Sequence, residues 1–308
     1  MKVLVTGVYG FIGFSVARRL LELGHEVIGI ERISNSVSEK AARIKILHGQ
    51  PGFSVYDLDL SGFEATKKLL ISLDFHAVLH LAGQYSKPYT EETLLRFIDG
   101  NIRTWTHLMH IAHIKKIPRV VYATSTHVPL TGYPTNMYGA TLMFREIASK
   151  TYNDMGINTV AIRYATTYGP YMRADSPPAQ IMKKIYTKKE IDLESGAFGG
   201  SYSWVHIDDA VEITIRALFR GLAKDHIQIT ALANELPQNL RTCVELIEKY
   251  SGIKAKTKGR YPELKEPKLP AEQITQLKEV FDYVPKVNIR DGMKSYVDWY
   301  LREGKAAY

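Results

Sequence analysis

The feature that most constrains the fold of this chain is a triplet of glycines, Gly7, Gly10 and Gly13, close to its first residue. The triplet comes directly after the short apolar run Lys2–Thr6 and directly before the helical pattern Phe14–Leu23. The first glycine permits a tight turn, the second lets the backbone approach a pyrophosphate, and the third allows close packing of helix on strand. The N-terminus of the helix would present N–H groups to the phosphates. The triplet therefore predicts binding of a dinucleotide, with a glycine turn that binds nothing as the alternative.

Strand and helix patterns alternate over the first half of the chain. Strands are predicted at Lys2–Thr6, Glu26–Ile30, Phe53–Leu58, Ala77–Leu81, Arg119–Ala123 and Asn158–Arg163. Helices are predicted at Phe14–Leu23, Ala65–Ser72, Glu91–Ile114 and Met137–Met155. The strand Ala77–Leu81 has almost no polar alternation, as expected when both faces of a sheet are covered. The order predicts an α/β fold with a Rossmann-type doubly wound parallel sheet.

The alternation becomes less regular after Tyr168, where prolines and glycines indicate loops. The elements predicted beyond it are helices at Asp208–Arg220 and Arg241–Tyr250 and a strand at Ile227–Ala231. We expect residues 1–168 to form the dinucleotide-binding domain, which also receives elements from about 200–232. Residues 169–308 are then mainly a smaller C-terminal substrate-binding lobe, interleaved with the sheet.

Composition bears on the compartment and the partners. The apolar fraction, 45% of 308 residues, suffices for a large core, and no apolar run reaches the ~20 residues that span a bilayer. Cys243 is the only cysteine, so no intrachain disulfide can form and a cytoplasmic protein is expected. The net charge is +8, but the basic residues are spread along the chain. This spread favours solvated faces or phosphorylated small molecules as partners, and not nucleic acid or a membrane.

Two residues at the end of the second predicted strand bear on the choice of nicotinamide cofactor. Glu31 stands where an acid can hydrogen-bond the adenosine ribose, which favours NAD over NADP. Arg32 follows it and could instead bind the 2′-phosphate of NADP. We expect NAD and keep NADP as the alternative.

The chain resembles the extended short-chain dehydrogenase/reductase family, and within it the NAD-dependent epimerase/dehydratases of nucleotide sugars. The similarity covers nearly the whole chain. The segments that carry it are Thr6–Gly13, Asp57–Leu58, Val78–Gly83, Asn101, Val121–Thr126, Tyr138–Thr141, Arg163–Pro170, Val205–Asp209 and Tyr283–Lys286. The resemblance implies NAD as cofactor and a nucleotide sugar as substrate. It also implies a homodimer that forms through the helices Glu91–Ile114 and Met137–Met155.

The resemblance assigns residues to both ligands. The expected cofactor residues are Gly7, Tyr9, Gly10, Phe11, Ile12, Glu31, Asp57, Leu58, Leu81, Ala82, Gly83 and Tyr138. The expected substrate residues are Tyr85, Thr126, Thr166, Arg173 and Arg260, and Tyr89 shares the loop of Tyr85. Thr166 and Arg173 lie in a stretch that looks most like uronate epimerases, where these positions are associated with the sugar carboxylate. An arginine fork suits that anion, so a uronate is a candidate substrate.

The chemistry that the resemblance implies is transient oxidation of one sugar carbon to a ketone, followed by reduction from the other face. Tyr138 would be the base and Ser125 would hydrogen-bond the reacting oxygen. His127 follows at a place where sugar-nucleotide dehydratases have a catalytic acid, and an imidazole suits proton transfer near neutral pH. The alternative for His127 is a loop residue that only contacts substrate or solvent.

One departure from the family pattern affects the base itself. Leu142 stands four residues after Tyr138, where the family has a lysine that helps to stabilise the phenolate. Ionising a tyrosine of pKa ~10 at neutral pH costs roughly 4 kcal/mol. Lys150 cannot substitute, because it lies roughly 18 Å further along the same helix. Altered elimination or redox chemistry, or cofactor binding without turnover, therefore stays open.

Two further groups of residues are candidates for binding a diphosphate or a metal ion. Tyr202 stands where the family has an arginine for the diphosphate, and Arg260 or Lys258 could supply that charge. The three histidines His107, His110 and His113 recur on one predicted helix. They fan over about 120° of the helix surface, so we expect no metal site there.

Overall fold

The computed structural model describes residues 1–33, 38–85, 90–219, 226–263 and 270–306. The chain divides into two units. The first consists of Met1–Ser36, Arg43–Tyr164 and Val211–Thr230, and the second of Val37–Ala42, Ala165–Ala210 and Ala231–Tyr308. Among the described residues, no helix has the length and apolar character needed to cross a membrane.

The secondary structure follows the predicted alternation. The strands are β1 (Lys2–Thr6), β2 (Glu26–Glu31), β3 (Phe53–Asp57), β4 (Ala77–His80), β5 (Arg119–Ser125), β6 (Asn158–Tyr164), β7 (Thr166–Tyr168), β8 (Glu190–Asp192), β9 (Ser201–Tyr202), β10 (Trp204–His206), β11 (Ile227–Ala231), β12 (Gln238–Asn239) and β13 (Lys256–Lys258). The helices are α1 (Phe11–Glu22), α2 (Ser38–Leu47), α3 (Phe63–Ser72), α4 (Glu91–Phe97), α5 (Thr104–Ile114), α6 (Met137–Asp154), α7 (Pro177–Tyr186), α8 (Ile207–Phe219), α9 (Leu240–Ser251), α10 (Ala271–Phe281) and α11 (Ile289–Arg302). Residue 220, the predicted end of α8, lies outside the described residues.

The main sheet has the order β11-β6-β5-β4-β1-β2-β3, and β1 to β6 run parallel to one another. This confirms the predicted Rossmann-type doubly wound sheet. The strand order reverses between β1 and β4, and in such sheets ligands bind outside the carboxyl ends of the strands at this switch point. One face is covered by α5, where Trp105 packs on Tyr122 of β5 with the ring centres 4.4 Å apart. The fold therefore indicates that a ligand site is formed by the loops that follow β1, β4 and β5.

The predicted helix Glu91–Ile114 is interrupted, because a π-helical stretch, Ile98–Arg103, separates α4 from α5. A π-turn adds a residue to the helical ladder and often marks a functional position. Here it contains Gly100, where a Cβ would stand 2.8 Å from the Cβ of Gln84. Hydrophobic periodicity could not reveal this interruption, since it depends on a tertiary contact. The helices α2, α7, α10 and α11 were also absent from the prediction.

The second unit contains three two-stranded sheets, β7 with β10, β9 with β12, and β8 with β13. Asp209 holds the C-terminal part of this unit. Its carboxylate accepts hydrogen bonds from the Tyr283 hydroxyl at 2.5 Å and from the backbone N–H groups of Lys286 and Val287 at 2.9 Å each. Two of the segments that carry the family resemblance therefore have a structural role. That this unit binds substrate stays a prediction.

Candidate active site

The loop after β1 forms a cradle that side chains would fill. Gly7 has φ +69°, and a Cβ there would stand 2.8 Å from the backbone nitrogen of Ala82. A Cβ on Gly13 would stand 2.1 Å from the carbonyl oxygen of Gly7, and one on Gly10 would stand 3.0 Å from the same oxygen. Only glycine allows the loop after β1 to lie this close to the start of α1 on one side and to the segment after β4 on the other. The bare backbone at the start of α1 fits the pyrophosphate of a dinucleotide.

Acidic residues end the two strands beyond this loop, Glu31 on β2 and Asp57 on β3, and they are paired in register. The Glu31 carboxylate accepts hydrogen bonds from the backbone N–H groups of Tyr9 at 3.3 Å and of Arg32 at 2.9 Å. It therefore lies beside the glycine loop, where a ribose hydroxyl could be bound. The guanidinium of Arg32 lies 3.6 Å from the Asp59 carboxylate, so its charge is already partly balanced. This arrangement favours a ribose without a 2′-phosphate.

The side chain of Tyr9 lies in the core of the first unit and not on the face of the loop. It is fully buried, and its ring stacks on His48 with the centres 6.1 Å apart. Burial, with a smaller contribution from Glu31, raises the pKa of its phenol to about 12. Only the backbone of Tyr9 is therefore available to a cofactor. The buried Arg43, which sequence analysis missed, donates a hydrogen bond to the Tyr9 carbonyl at 3.0 Å.

Three further predicted cofactor residues border this loop. Phe11 is buried and Ile12 is half-buried in the first turn of α1. Leu58 is partly buried against the core, and its backbone N–H donates to the Glu31 carbonyl at 3.0 Å. Their positions follow from local sequence alone.

The segment Leu81–Gly83, which continues from β4, is fixed from two sides. The Thr6 hydroxyl oxygen accepts a hydrogen bond from the Ala82 N–H at 3.2 Å. Asn101, on the π-helical stretch, accepts from the Gln84 N–H at 2.7 Å and donates to the Gln84 carbonyl at 3.1 Å. The segment thereby lies against Gly7, where the fold expects the nicotinamide half of a cofactor.

The predicted catalytic residues meet after β5. The Ser125 hydroxyl lies 3.1 Å from Nδ1 of His127 and accepts a hydrogen bond from the His127 backbone N–H at 3.2 Å. The ring of Tyr138 stands edge-on to those of His127 and Tyr85, with the centres 5.4 and 5.1 Å apart. Ser125 is buried, Tyr138 is half-buried and His127 is exposed. A hydroxyl, an imidazole and a phenol thus lie where they can exchange protons with a bound molecule.

Gly139 sets the approach of α6 to the His127 loop. A Cβ at Gly139 would stand 2.5 Å from the His127 carbonyl oxygen. Asn136 caps the helix, because its side-chain oxygen accepts a hydrogen bond from the Gly139 N–H at 2.8 Å. The close contact brings Tyr138, in the first turn, to the loop. The available signal was a glycine inside a helix, which costs about 1 kcal/mol relative to alanine and so suggests a packing role.

Residues 3–230 match the model of the NAD dependent epimerase/dehydratase family. The chain belongs to this family. It is 30% identical to an uncharacterized 37.6 kDa protein of Escherichia coli O111:H-, with 97% of this chain and 98% of that protein covered. It is also 28% identical to a UDP-glucuronate 4-epimerase of Thermodesulfobacterium geofontis, with 96% and 95% covered.

The fold is similar to the crystal structure of the UDP-glucuronic acid 4-epimerase from Bacillus cereus in complex with UDP-glucuronic acid and NAD. The TM-score is 0.85 at 22% sequence identity, and 98% of this chain and 99% of that chain are covered. This similarity confirms the predicted fold. The family match and the named relative confirm the resemblance to nucleotide-sugar epimerases.

An apolar side chain stands where the resemblance implies a lysine, four residues after Tyr138. Leu142 is 3% exposed, one turn after Tyr138 on α6. The next turn brings two buried ionisable residues, Arg145 and Glu146. Sequence analysis did not single out either of them, since a charged residue on an amphipathic helix is usually assigned to its solvent face.

The remaining predicted substrate residues differ in their distance along the chain from this cluster. Thr126, next to Ser125, is exposed, and Tyr89 lies outside the described residues. In the second unit, Thr166 is half-buried and Arg260 is exposed. Arg173 forms a two-pronged ion pair with Asp175, with Nε 2.9 Å from Oδ1. The Arg173 fork is therefore already shaped for a carboxylate.

Proposed function

We propose that this protein is an NAD-dependent nucleotide-sugar epimerase, which inverts one sugar carbon through a transient ketone. The observation that supports this most is the grouping of Ser125, His127 and Tyr138 at the carboxyl end of β5. The neighbouring strand β4 continues into Leu81–Gly83, beside the glycine cradle. Proton-transfer groups and a dinucleotide cradle thus occupy the same edge of one sheet.

The cradle residues would hold the cofactor as follows. Backbone N–H groups at the start of α1 bind the pyrophosphate, and Glu31 binds the adenosine ribose. Asp57 and Leu58 border the adenine, and Leu81–Gly83 follows the nicotinamide half. NAD, when bound, accepts a hydride from the sugar and returns it. The position of Glu31 and the pairing of Arg32 with Asp59 support NAD over NADP.

The chain's own residues move the proton. Tyr138, as phenolate, takes the proton of the sugar hydroxyl and later returns it. Ser125 donates a hydrogen bond to the reacting oxygen, which gains negative charge as the proton leaves. His127, 3.1 Å from the Ser125 hydroxyl, completes a relay toward solvent.

The substrate we propose is a uronate joined to a nucleoside diphosphate. The Arg173 fork and Thr166 support a carboxylate on the sugar, as does the relative named UDP-glucuronate 4-epimerase. Incubation with UDP-glucuronate, UDP-glucose and dTDP-glucose, followed by NMR of the products, tests this. Inversion at C4 of UDP-glucuronate is expected. A keto or unsaturated product would instead favour altered elimination or redox chemistry. Tight NAD binding without any product would favour a non-catalytic protein. Leu142 leaves both of these alternatives open.

Arg173→Met is expected to weaken the binding of UDP-glucuronate, whose sugar carries a carboxylate, much more than that of UDP-glucose, whose sugar does not. Loss of a two-pronged, charge-assisted contact raises KM for UDP-glucuronate by about tenfold to a hundredfold. The KM for UDP-glucose, if it is turned over, changes by less than about threefold. Asp175→Asn is the matched control, because it releases Arg173 from its ion pair and leaves the fork intact. Equal effects of Arg173→Met on both substrates would show that Arg173 does not read the carboxylate.

His127→Ala is expected to lower kcat about tenfold to a hundredfold, the usual range for one proton-transfer group. The KM for the sugar should change little, since the imidazole acts through Ser125. Steady-state rates between pH 5 and 9 provide the measurement. An unchanged kcat across this range would remove His127 from the mechanism.

We also propose a homodimer. Large apolar side chains are exposed on two helices of the first unit, Leu94 and Leu95 on α4 and Phe144 and Ile147 on α6. A second copy would cover this face, as the family resemblance implies. Sedimentation of the purified protein tests the proposal, and a monomer at micromolar concentration would contradict it. That the protein works in the cytoplasm stays a prediction from its single cysteine.

A further inference from the structure

In the described part of the first unit, two basic side chains and one acidic side chain are buried where α6 packs on the sheet. Arg145, Glu146 and Arg163 are 1%, 2% and 8% exposed. Glu146 accepts hydrogen bonds from Nε of Arg163 at 2.9 Å and from its Nη2 at 2.5 Å, so these two charges cancel. Arg145 has no carboxylate partner among the described residues. One positive charge therefore remains uncompensated in the interior of the first unit.

In the part of the chain that the structure describes, the guanidinium of Arg145 donates its hydrogen bonds to neutral acceptors. Its five contacts are Nε with the Asn101 carbonyl (2.8 Å), Nη1 with the Ala123 carbonyl (3.3 Å), and Nη2 with the Ala82 carbonyl (3.4 Å), the Gly100 carbonyl (3.3 Å) and Oδ1 of Asn101 (3.3 Å). These oxygens satisfy the N–H donors without cancelling the charge. An unpaired buried charge costs several kcal/mol and is retained mainly at functional positions. Burial lowers the pKa of Arg145 to about 10, so it stays charged at neutral pH.

The acceptors of Arg145 belong to the candidate active site. Ala82 lies in the segment that continues from β4. Asn101 donates a hydrogen bond to the Thr141 hydroxyl at 3.0 Å, and that hydroxyl donates to the Tyr138 carbonyl at 2.9 Å. The guanidinium is therefore linked through two residues to the turn of α6 that carries the proposed base.

The charge of Arg145 also acts on the phenol of Tyr138. The phenols of Tyr138 and Tyr122 oppose the effect of burial on the pKa of Arg145. Such coupling is reciprocal, so the guanidinium favours the ionised form of each phenol. Tyr122 is fully buried, and burial holds its pKa far above the usual value, so it stays protonated. Tyr138 is half-buried and has access to a substrate.

We propose that Arg145 supplies the positive charge that the family lysine supplies at position 142, and that it acts through Tyr138 by stabilising the phenolate. Arg145 stands seven residues after Tyr138, two turns along the same face of α6. Long side chains on a helix lean toward its N-terminus, which directs the guanidinium of Arg145 back toward the turn that carries Tyr138. The role in catalysis rests on the proposed function, whereas the effect on Tyr138 does not need a substrate.

Other titratable groups near these two residues limit how the effect is measured. His127 and Tyr85 face Tyr138 from the loops after β5 and β4. Burial, helped by Arg145, keeps the pKa of His80 on β4 well below its usual value, so His80 is neutral. The Glu146–Arg163 pair contributes no net charge. A background with His127→Ala removes the imidazole that faces Tyr138 from the measurement.

The experiment is an alkaline titration of tyrosinate absorbance in the unliganded protein. Subtracting the curve of Tyr138→Phe isolates the phenol of Tyr138. Arg145→Met is expected to raise the midpoint of Tyr138 by about one pH unit or more, and Arg145→Lys by less than about half a unit. In turnover, Arg145→Met should lower kcat at pH 7 about tenfold or more and move the basic limb of the pH profile in the same direction.

A rescue separates charge from structure. Arg145→Met combined with Leu142→Lys returns one positive charge to α6 and restores none of the five guanidinium contacts. We expect the double variant to recover the wild-type midpoint of Tyr138 to within about half a unit. If the role of Arg145 were only structural, the double variant would not recover the Tyr138 midpoint, because the carbonyl acceptors would still lack donors. Leu142→Lys alone is the matched control.

The outcomes distinguish this inference from the proposed function. An unmoved Tyr138 midpoint in folded Arg145→Met would overturn the inference, even if turnover fell. A shifted and rescued midpoint in a protein that converts no nucleotide sugar would support the inference and count against the proposed function. If Arg145→Met does not fold, the Arg145→Lys variant provides the test. A wild-type midpoint for Tyr138 together with a lower Tm would support the role of the charge. A Tyr138 midpoint raised by more than one pH unit would overturn the inference.

Discussion

Replacement of Tyr138 by phenylalanine is expected to lower kcat about a thousandfold or more while leaving NAD affinity within about threefold. The phenylalanine ring can keep the edge-on contacts with His127 and Tyr85, whose centres lie 5.4 and 5.1 Å away. It cannot accept or return a proton. The change therefore removes the proposed base and leaves the shape of the site. Pre-steady-state absorbance of the nicotinamide at saturating sugar and NAD measures the loss directly.

Tyr85→Phe is the matched control, since it removes a phenol oxygen from the same aromatic cluster. Tyr85 is proposed to contact substrate, so its loss should affect KM more than kcat, with kcat reduced by less than about tenfold. If Tyr138→Phe keeps more than a tenth of wild-type kcat, another group is the base. Equal losses in the two variants would indicate that the hydroxyls support packing.

Gly13→Ala is expected to lower NAD affinity about a hundredfold or more. The new Cβ would stand 2.1 Å from the Gly7 carbonyl oxygen and 3.2 Å from Cα of Val8, which are backbone atoms that cannot yield as a flexible side chain would. The start of α1 must therefore move away from the loop, and its N–H groups would no longer be oriented toward the phosphates of the cofactor. Calorimetric titration with NAD measures the affinity, and thermal unfolding reports the accompanying loss of stability.

Gly62→Ala provides the matched control in the same unit. Gly62 likewise lies at the start of a helix, as the N-terminal cap of α3, but the nearest atom to a new Cβ there is 3.7 Å away. This variant should bind NAD within about twofold of wild type. Wild-type affinity in Gly13→Ala would show that the close approach at the loop is not what positions the phosphates.

The parts of this fold that sequence could predict are those whose signal is local. The unit from β1 through the glycine loop to α1 was recognised from residues adjacent in the chain, and so was the acid Glu31 at the end of β2. The π-helical stretch Ile98–Arg103 was missed, because it arises where Gly100 meets Gln84 from another loop. Similarly, the ion pair of Arg173 with Asp175 depends on side-chain rotamers that no spacing specifies.

The candidate site shows the same division. Ser125, His127 and Tyr138 were predicted from their motifs, and the structure brings them together. Leu142, where the resemblance implies a lysine, was also evident from the sequence, whereas the buried guanidinium of Arg145, which we propose takes the role of that lysine, was not. A sequence cannot reveal that Arg145 is buried or that Glu146 is already paired with Arg163. Nor can it reveal that backbone carbonyls of β5, of the π-helical stretch and of the segment after β4 meet at one guanidinium. Each of these facts depends on tertiary packing.

The most direct test of the proposed activity is the fate of the hydrogen at the carbon that is inverted. UDP-glucuronate carrying deuterium at C4 is incubated with the NAD-loaded protein, and the product is analysed by NMR and mass spectrometry. We predict a C4-inverted product that retains the deuterium, because in the proposed mechanism the hydride leaves and returns within one site. An inverted product with protium from water at C4, or no inversion by a protein that holds NAD, would contradict it.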